Sequence, residues 1–300
     1  MKKASAAPLL IVGGDADPNI QVLLAAARRC KKAFVHLLVG KESHPALRWE
    51  VATGELLLEG KPLDCSAAFI RHDVFTALSD GQPSSHYRAL AWHTALTGWL
   101  AAHPSIQIFN RRNLNQITNK PLVLHQAQAV GLTIPQTLVT NDFDYLARHE
   151  PEQRKIVKPI NGGGYCQDLQ EVAGQTTLRD GRAAAPAIVQ KMLVAPEVRI
   201  YAIGQNYFGF NVISDELDYR ITTDCRVESI ESIPAQLTSA LGRLMEMMGL
   251  DFGAADFKTC PETGQLVFLE INTGPMFAAF DRASNGRLTD AMISFLTAPQ

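Results

Sequence analysis

Two hydrophobic periods succeed one another along this chain. LLIVGG (9–14), AFVHLLV (33–39), AAFIRHD (67–73) and QIFN (107–110) are compact apolar runs, which predict strands. Between them, residues 20–30 and 87–102 place apolar side chains three and four apart, the spacing of helices that bury one face. Strand, helix, strand in this order predicts a parallel, doubly wound α/β sheet over residues 1–112. Segment 49–60, WEVATGELLLEG, alternates about Thr53-Gly54 and predicts an inserted hairpin. Gly13-Gly14 follows the first strand, but the full GxGxxG pattern is absent, so a dinucleotide loop is not predicted.

Beyond residue 112 the strands lengthen and come in pairs. A helix is expected within 113–130. Pro121 tolerates only the first turn, so that helix should open near Lys120. Strands are expected within 131–142, at 155–158, 187–193, 197–204 and 207–214, the last two pairing across Gln205-Asn206. Residues 234–248 read as a helix with Met245, Met247 and Met248 as core filler. Two further apolar runs, FGAADF and LVFLEIN, precede a last helix at 286–296.

Composition narrows the class. Hydrophobic residues make up 46% and charged residues 19% of 300, as in a globular protein with a sizeable core. A net charge of −2 gives no basic surplus for nucleic acid or an anionic membrane. No apolar run approaches the roughly 18 residues of a membrane span. Pro8 interrupts the apolar N-terminal run, so a first strand is expected there rather than a signal peptide, and a cytoplasmic location follows. Five scattered cysteines without a CxxC pair predict neither a disulfide framework nor a zinc site.

The candidate chemistry sits near the C-terminus. On a strand, Glu270 and Asn272 face one side, and Asp256 lies on the preceding apolar run, which could pair with it. Two carboxylates and a carboxamide are hard oxygen donors of the kind that hold Mg²⁺ beside nucleotide phosphates. The alternative is a buried strand ending in a polar turn. A second signal is Lys158 at a strand end, followed by Pro159 and the loop Asn161-Gly162-Gly163-Gly164. Glycines let backbone N–H groups turn toward anionic oxygens, with the lysine as a fixed charge. A flexible hairpin tip with a surface lysine is the alternative here.

Taken in order, these are Lys120 on a helix, the Lys158 glycine loop, the strand Ile188-Val189-Gln190-Lys191, Arg199 on the next strand, and the Asp256…Glu270-x-Asn272 trio. Together they resemble the ATP-grasp superfamily over residues 113–300. GLTIPQTLVTND, EVRIYAIGQNYF, ISDELDYRI and FLEIN are similar to the ribosomal-protein glutamate ligases, and more so to the graspetide (microviridin-type) peptide ligases. Ser214 with Asp218-Tyr219-Arg220 carries the latter likeness.

The resemblance implies an N-terminal α/β (pre-ATP-grasp) domain at 1–112, an ATP-grasp lobe with a glycine-rich lid at 113–195, and a C-terminal lobe with the metal site at 196–300. It implies ATP and Mg²⁺ as cofactors, with two ions and Mn²⁺ as a substitute. Lys120, Lys158 and Gly162, Gly163 and Gly164 would hold phosphates. Main chain at Gln190, Lys191, Met192 and Leu193 would hold adenine, and Glu197 the ribose. Asp256, Glu270 and Asn272 would hold metal, and Arg199 and Arg220 would face the transferring phosphoryl group. The implied activity is an ATP-dependent carboxylate–amine or carboxylate–hydroxyl ligase that works through an acyl-phosphate on a peptide or amino-acid-like substrate, in a homodimer. A small-molecule amino-acid or dipeptide ligase and a non-catalytic nucleotide-binding partner protein are the alternatives. The strand QKML lacks the acidic residue that many relatives carry after the glutamine, which leaves the Lys191 side chain without an implied role.

Three groups of residues stay ambiguous in sequence. Arg71-His72-Asp73 either faces substrate or forms a strand-end ion pair. Asp281-Arg282 either contacts substrate or caps the last helix. His86, His93, His103 and His125 lie on predicted helices without ligand spacing, and Cys166 has no identifiable base.

Overall fold

The structure is a computed structural model that describes residues 7–114, 116, 118–149, 154–161, 164–214 and 225–299. The chain divides into two compact units. The first comprises 1–114, 249–252 and 274–300; the second comprises 115–248 and 253–273.

In the first unit, β1 (Leu9–Gly14), β2 (Phe34–Val39), β6 (Ala67–Ile70) and β7 (Gln107–Ile108) form a parallel sheet in the order β2-β1-β6-β7. The crossover helices are α1 (Pro18–Arg29) and α3 (Pro83–Ala102), with the short α2 (Phe75–Asp80) leading into α3. Both long helices open on proline, whose missing N–H costs nothing there. α3 therefore starts four residues before the apolar periodicity does. Residues 47–62 hold a small antiparallel sheet of β3 (Leu47–Trp49), β4 (Leu56–Leu58) and β5 (Lys61–Pro62), where the sequence predicts a two-stranded hairpin. Leu10, Val12, Leu37, Leu96, Trp99 and Leu100 lie in one buried cluster of this unit.

Gly14 has a packing explanation instead of a phosphate-binding one. A β-carbon on it would lie 2.5 Å from the Asp73 carboxyl. Phe252 and Phe277, both in later stretches of the chain, pack edge-on against Phe69. The closing helices α8 (Ala278–Ala283) and α9 (Arg287–Leu296) belong to the same unit.

In the second unit, α4 (Lys120–Ala129) opens where Pro121 predicts. Asn119 caps it, its side chain accepting from Leu122 N at 3.0 Å. β8 (Thr137–Asp142), β9 (Lys155–Lys158), β10 (Gln167–Asp168) and β11 (Arg182–Lys191) form an antiparallel sheet ordered β10-β9-β11-β8. Two short helices, α5 (Phe143–His149) and α6 (Leu169–Gln175), decorate it. The larger sheet runs β14-β13-β12-β15-β16, from β12 (Val194–Ile203), β13 (Asn206–Ile213), β14 (Arg226–Ile230), β15 (Phe252–Thr259) and β16 (Leu266–Asn272). β12 and β13 pair across Gln205-Asn206 as the sequence predicts.

α7 (Ala235–Met248) packs on α4, and α4 packs on β16. Leu241, Leu244, Met245 and Met248 form the buried face of α7. Met247 corrects the expectation that all three methionines fill the core. It is 52% exposed against 3% for Met245, because a residue two positions on lies on the opposite side of a helix.

Candidate active site

The second unit gathers its buried charge on one face of the five-stranded sheet. β15 pairs antiparallel with β16 in a register that sets Asp256 directly opposite Glu270, and Ala254 opposite Asn272. Strand alternation then puts Asp256, Glu270 and Asn272 on one face, as the sequence predicts. The contact is direct: Asn272 Nδ2 donates to Asp256 Oδ2 at 3.2 Å.

Each carboxylate of this group already holds a basic partner. Arg199, from neighbouring β12, forks onto Asp256, with Nε donating to Oδ1 at 2.6 Å and Nη2 to Oδ2 at 2.8 Å. Arg199 is 6% and Asp256 5% exposed, so this is a buried ion pair. Lys120, the first residue of α4, brings its Nζ to 3.9 Å from Glu270 Oε2. Lys158 ends β9. Burial is the largest influence on it and holds its pKa below the usual 10.5, while the charge of Glu270 works in the opposite direction.

A third ion pair continues the row. Lys258 Nζ lies 3.2 Å from Glu197 Oε2. Burial raises the Glu197 pKa, and the Lys258 charge opposes that rise. The resemblance implies a ribose role for Glu197, and sequence reasoning does not single out Lys258. The signal was present, since Lys258 lies two positions after Asp256 on the same strand and so faces the same side.

On the smaller sheet, β9 and β11 pair so that Lys158 faces Ile188 and Ile156 faces Gln190, which sets Lys158 and Gln190 on one face. Gln190 is buried at 1% exposure, and its Nε2 donates to Thr137 Oγ1 at 2.9 Å. Its Oε1 is buried with no hydrogen-bond partner. A buried acceptor with nothing to accept from is uncommon, and a ligand donor is one remedy.

Lys191 at the end of β11 ion-pairs with Glu262 at 2.5 Å, which gives its side chain a structural role. Cys260 Sγ donates to the other Glu262 oxygen at 3.0 Å, and this bond, reinforced by Lys191, holds the Glu262 carboxyl down to about 2. Met192 N donates to the Arg154 carbonyl, and Leu193 is buried.

Gly164 sits against Pro159, where an added β-carbon would lie 2.8 Å from the ring. Gly162, Gly163 and the expected Asp218-Tyr219-Arg220 lie outside the described residues. So does the end of the segment that begins at Ser214.

The donor set fits a divalent cation carried with a nucleotide. Asp256, Glu270 and Asn272 supply hard oxygens on adjacent strands, and each carboxylate is placed to hold a cation, since each already does. Among the described residues, no group of three His, Cys, Asp or Glu is arranged to hold a metal; a site here would use two carboxylates and an amide. Lys120 and Lys158 could supply positive charge to phosphates, and the unpartnered Gln190 oxygen fits an amino donor of a base.

The first unit holds the residues left ambiguous in sequence. Arg71 Nε donates to Asp17 Oδ2 at 2.8 Å, and its Nη1 donates to the Gly274 and Pro275 carbonyls. Asp73 accepts from Phe75 N and from the Thr76 hydroxyl, which caps α2. Asp281 accepts from Thr289 N at 2.8 Å and from the Thr289 hydroxyl, the capping role among its two alternatives. His72 stands 5.7 Å, ring to ring, from both His86 and His93. The five cysteines are free.

Comparison with solved structures shows the fold. The ATP-grasp ligase PsnB, in a complex with a minimal precursor, Mg and ADP, matches 96% of this chain over 98% of its own, with TM-score 0.71 and 22% identity. The chain has the ATP-grasp ligase fold. The macrocyclase MdnC of Microcystis aeruginosa MRC, bound with its precursor peptide MdnA, matches 97% of this chain over 100% of its own, with TM-score 0.73 and 20% identity. VanG, a D-Ala:D-Ser ligase of Enterococcus faecalis, matches 97% of this chain over 100% of its own, at TM-score 0.61 and 13% identity. No family model matches the chain, and neither does any curated protein.

Proposed function

We propose that this protein is an ATP-dependent ligase that joins a carboxylate to an amine or hydroxyl through an acyl-phosphate, on a peptide substrate. The observation that carries the reading is the row of carboxylates on one sheet face, each opposed by its own cation. PsnB and MdnC, similar over nearly the whole chain, are bound to precursors, and this supports a peptide over a free amino acid.

Asp256, Glu270 and Asn272 would hold the metal, with two ions or with Mn²⁺ in place of Mg²⁺. The metal supplies charge neutralisation at the phosphates. Lys120 and Lys158 would bind phosphate oxygens, with Gly162, Gly163 and Gly164 closing over them. Main chain at Gln190, Lys191, Met192 and Leu193 would hold adenine, and Glu197, steadied by Lys258, the ribose. Residues 113–195 would then form the lid lobe and 196–273 most of the metal lobe, while 274–300 belong with 1–112, the domain that precedes them.

The substrate carboxylate attacks the γ-phosphorus, the bond to the bridging oxygen breaks, and ADP leaves. The amine or hydroxyl then attacks the acyl carbon, loses its proton and expels phosphate. Arg199 and Arg220 would stabilise charge on the phosphoryl and acyl oxygens, where a planar guanidinium binds bidentately. The net change in the peptide is loss of water. The test is incubation with Mg-ATP and a small peptide encoded beside the gene. The expected result is ADP release with a mass decrease of about 18 Da per bond formed. ATP turnover with free amino acids and not with the peptide would replace this reading.

That replacement has its own support, since VanG, whose name specifies D-Ala and D-Ser, shares the fold. A binding-only partner protein has less, because it would not need paired carboxylates buried with counter-ions. We also propose a homodimer, to be checked by light scattering, and a cytoplasmic location. None of the described helices is long and apolar enough to cross a membrane.

A further inference from the structure

On the face that would receive a metal, acidic and basic side chains are paired with one another. Asp256 accepts three hydrogen bonds: two from the Arg199 fork and one from the amino end of Asn272. Lys120 faces Glu270. A divalent cation needs these same carboxylates, and it needs the oxygen of Asn272, whose amino end is turned toward Asp256. A metal that arrived alone would meet a guanidinium of like sign on its best ligand. It could bind only by taking the bidentate carboxylate of a buried guanidinium, which is unfavourable. A nucleotide that arrived alone would bring its phosphates toward Asp256 and Glu270.

We propose that Arg199 and Lys120 are resident counter-ions of the metal ligands, and that a metal and its nucleotide displace them together: the cation takes Asp256 and Glu270 while the two basic side chains pass to phosphate oxygens. This rests on the Mg-nucleotide reading above and adds the coupling. Each charge exchanges one partner for another of the same sign. Arginine suits the exchange because its planar fork fits a carboxylate and a phosphate equally well. The carboxylates would gain the metal in the step that frees Arg199 for the reacting groups. Coupling of this kind is reciprocal: metal improves nucleotide binding by the factor by which nucleotide improves metal binding.

The test uses the full chain with Mn²⁺ as the probe and electron paramagnetic resonance to count free ion, with and without ADP. Wild type should bind Mn²⁺ weakly alone and more tightly with ADP. Arg199→Gln removes the resident cation, so Mn²⁺ alone should bind roughly tenfold more tightly than to wild type, within the usual range for coupled sites. Its melting temperature should rise with Mn²⁺ alone, where wild type barely responds. If Arg199→Gln does not fold, Arg199→Lys, which cannot fork, should give a smaller gain. Lys120→Met should also give a smaller gain, because its pair is longer and more exposed. Equal nucleotide-free Mn²⁺ affinity in wild type and the variants, with Mn²⁺·ADP still bound, overturns the exchange and leaves the ligase reading standing. No Mn²⁺ binding by wild type even with ADP overturns both.

Discussion

Buried acids are used in opposite ways in the two units. In the first they serve the backbone, although Asp17 also pairs with Arg71. Asp17 accepts from Asn19 N and opens α1, Asp73 opens α2, and Asp281 caps α9 through Thr289. In the second they face cations across strands: Arg199 with Asp256, Lys120 with Glu270, and Lys258 with Glu197. A cap cannot be given up without fraying its helix. An ion pair can be given up whenever a better-placed charge arrives. Capping marks acids that build the fold, as at Asp17 even with Arg71 beside it, and charge pairing without a cap marks acids that a ligand can claim.

The largest effects should come from breaking buried pairs, and they separate the two kinds of site. Asp256→Asn leaves Arg199 buried without its carboxylate and should cost about 3–5 kcal/mol of stability in denaturant titrations. Arg71→Met does the same to Asp17 in the first unit, at a similar cost, but should leave Mg·ADP affinity unchanged. If both variants lose nucleotide binding alike, the contrast between the units fails.

Next in size, Glu270→Ala should lower the rate of substrate-dependent ADP release by about 10²–10³, by analogy with the loss of one charge-stabilising group.

Lys158 sharpens the comparison through pH. Burial lowers its pKa, so the folded chain releases this proton before the unfolded chain does near 10.5. Between the lowered value and 10.5 the unfolded state binds more protons, and the Lys158 contribution to stability rises with pH. Phosphate binding needs the charged form, so ADP affinity should fall over the same range, by roughly ten- to hundredfold in total. Lys158→Arg, which keeps its charge, should remove that fall. An alkaline limb that is the same in both proteins would take Lys158 out of the phosphate site.

The smallest effect belongs to a cap. Asp281→Ala should cost about 1 kcal/mol, measured by thermal unfolding, without altering turnover. A large loss of activity would restore its substrate-facing alternative.

Much of this was readable from residue order. Pro121 marks the start of α4, and alternation along FLEIN sets Glu270 and Asn272 on one face. The opposition of Asp256 and Glu270 needs the register of the two runs as well, which shifts between Asp256 and Phe257. What escaped needs register between distant strands. Nothing local to Arg199 indicates that its fork closes on Asp256, or that Lys191 meets Glu262. The short helices α2, α5 and α6 have too few turns for an apolar period to show. The return of residues 274–300 to the first unit depends on aromatic packing such as Phe277 on Phe69, which no spacing encodes.

Calorimetric titration of ADP into wild type and Asp256→Asn, each with and without Mg²⁺, tests the central claim most directly. If the sheet face of the second unit is a metal–nucleotide site, Mg²⁺ will strengthen ADP binding in wild type, and Asp256→Asn will lose that dependence. ADP affinity that ignores Mg²⁺ in wild type, or a Mg²⁺ dependence that survives in Asp256→Asn, would contradict it.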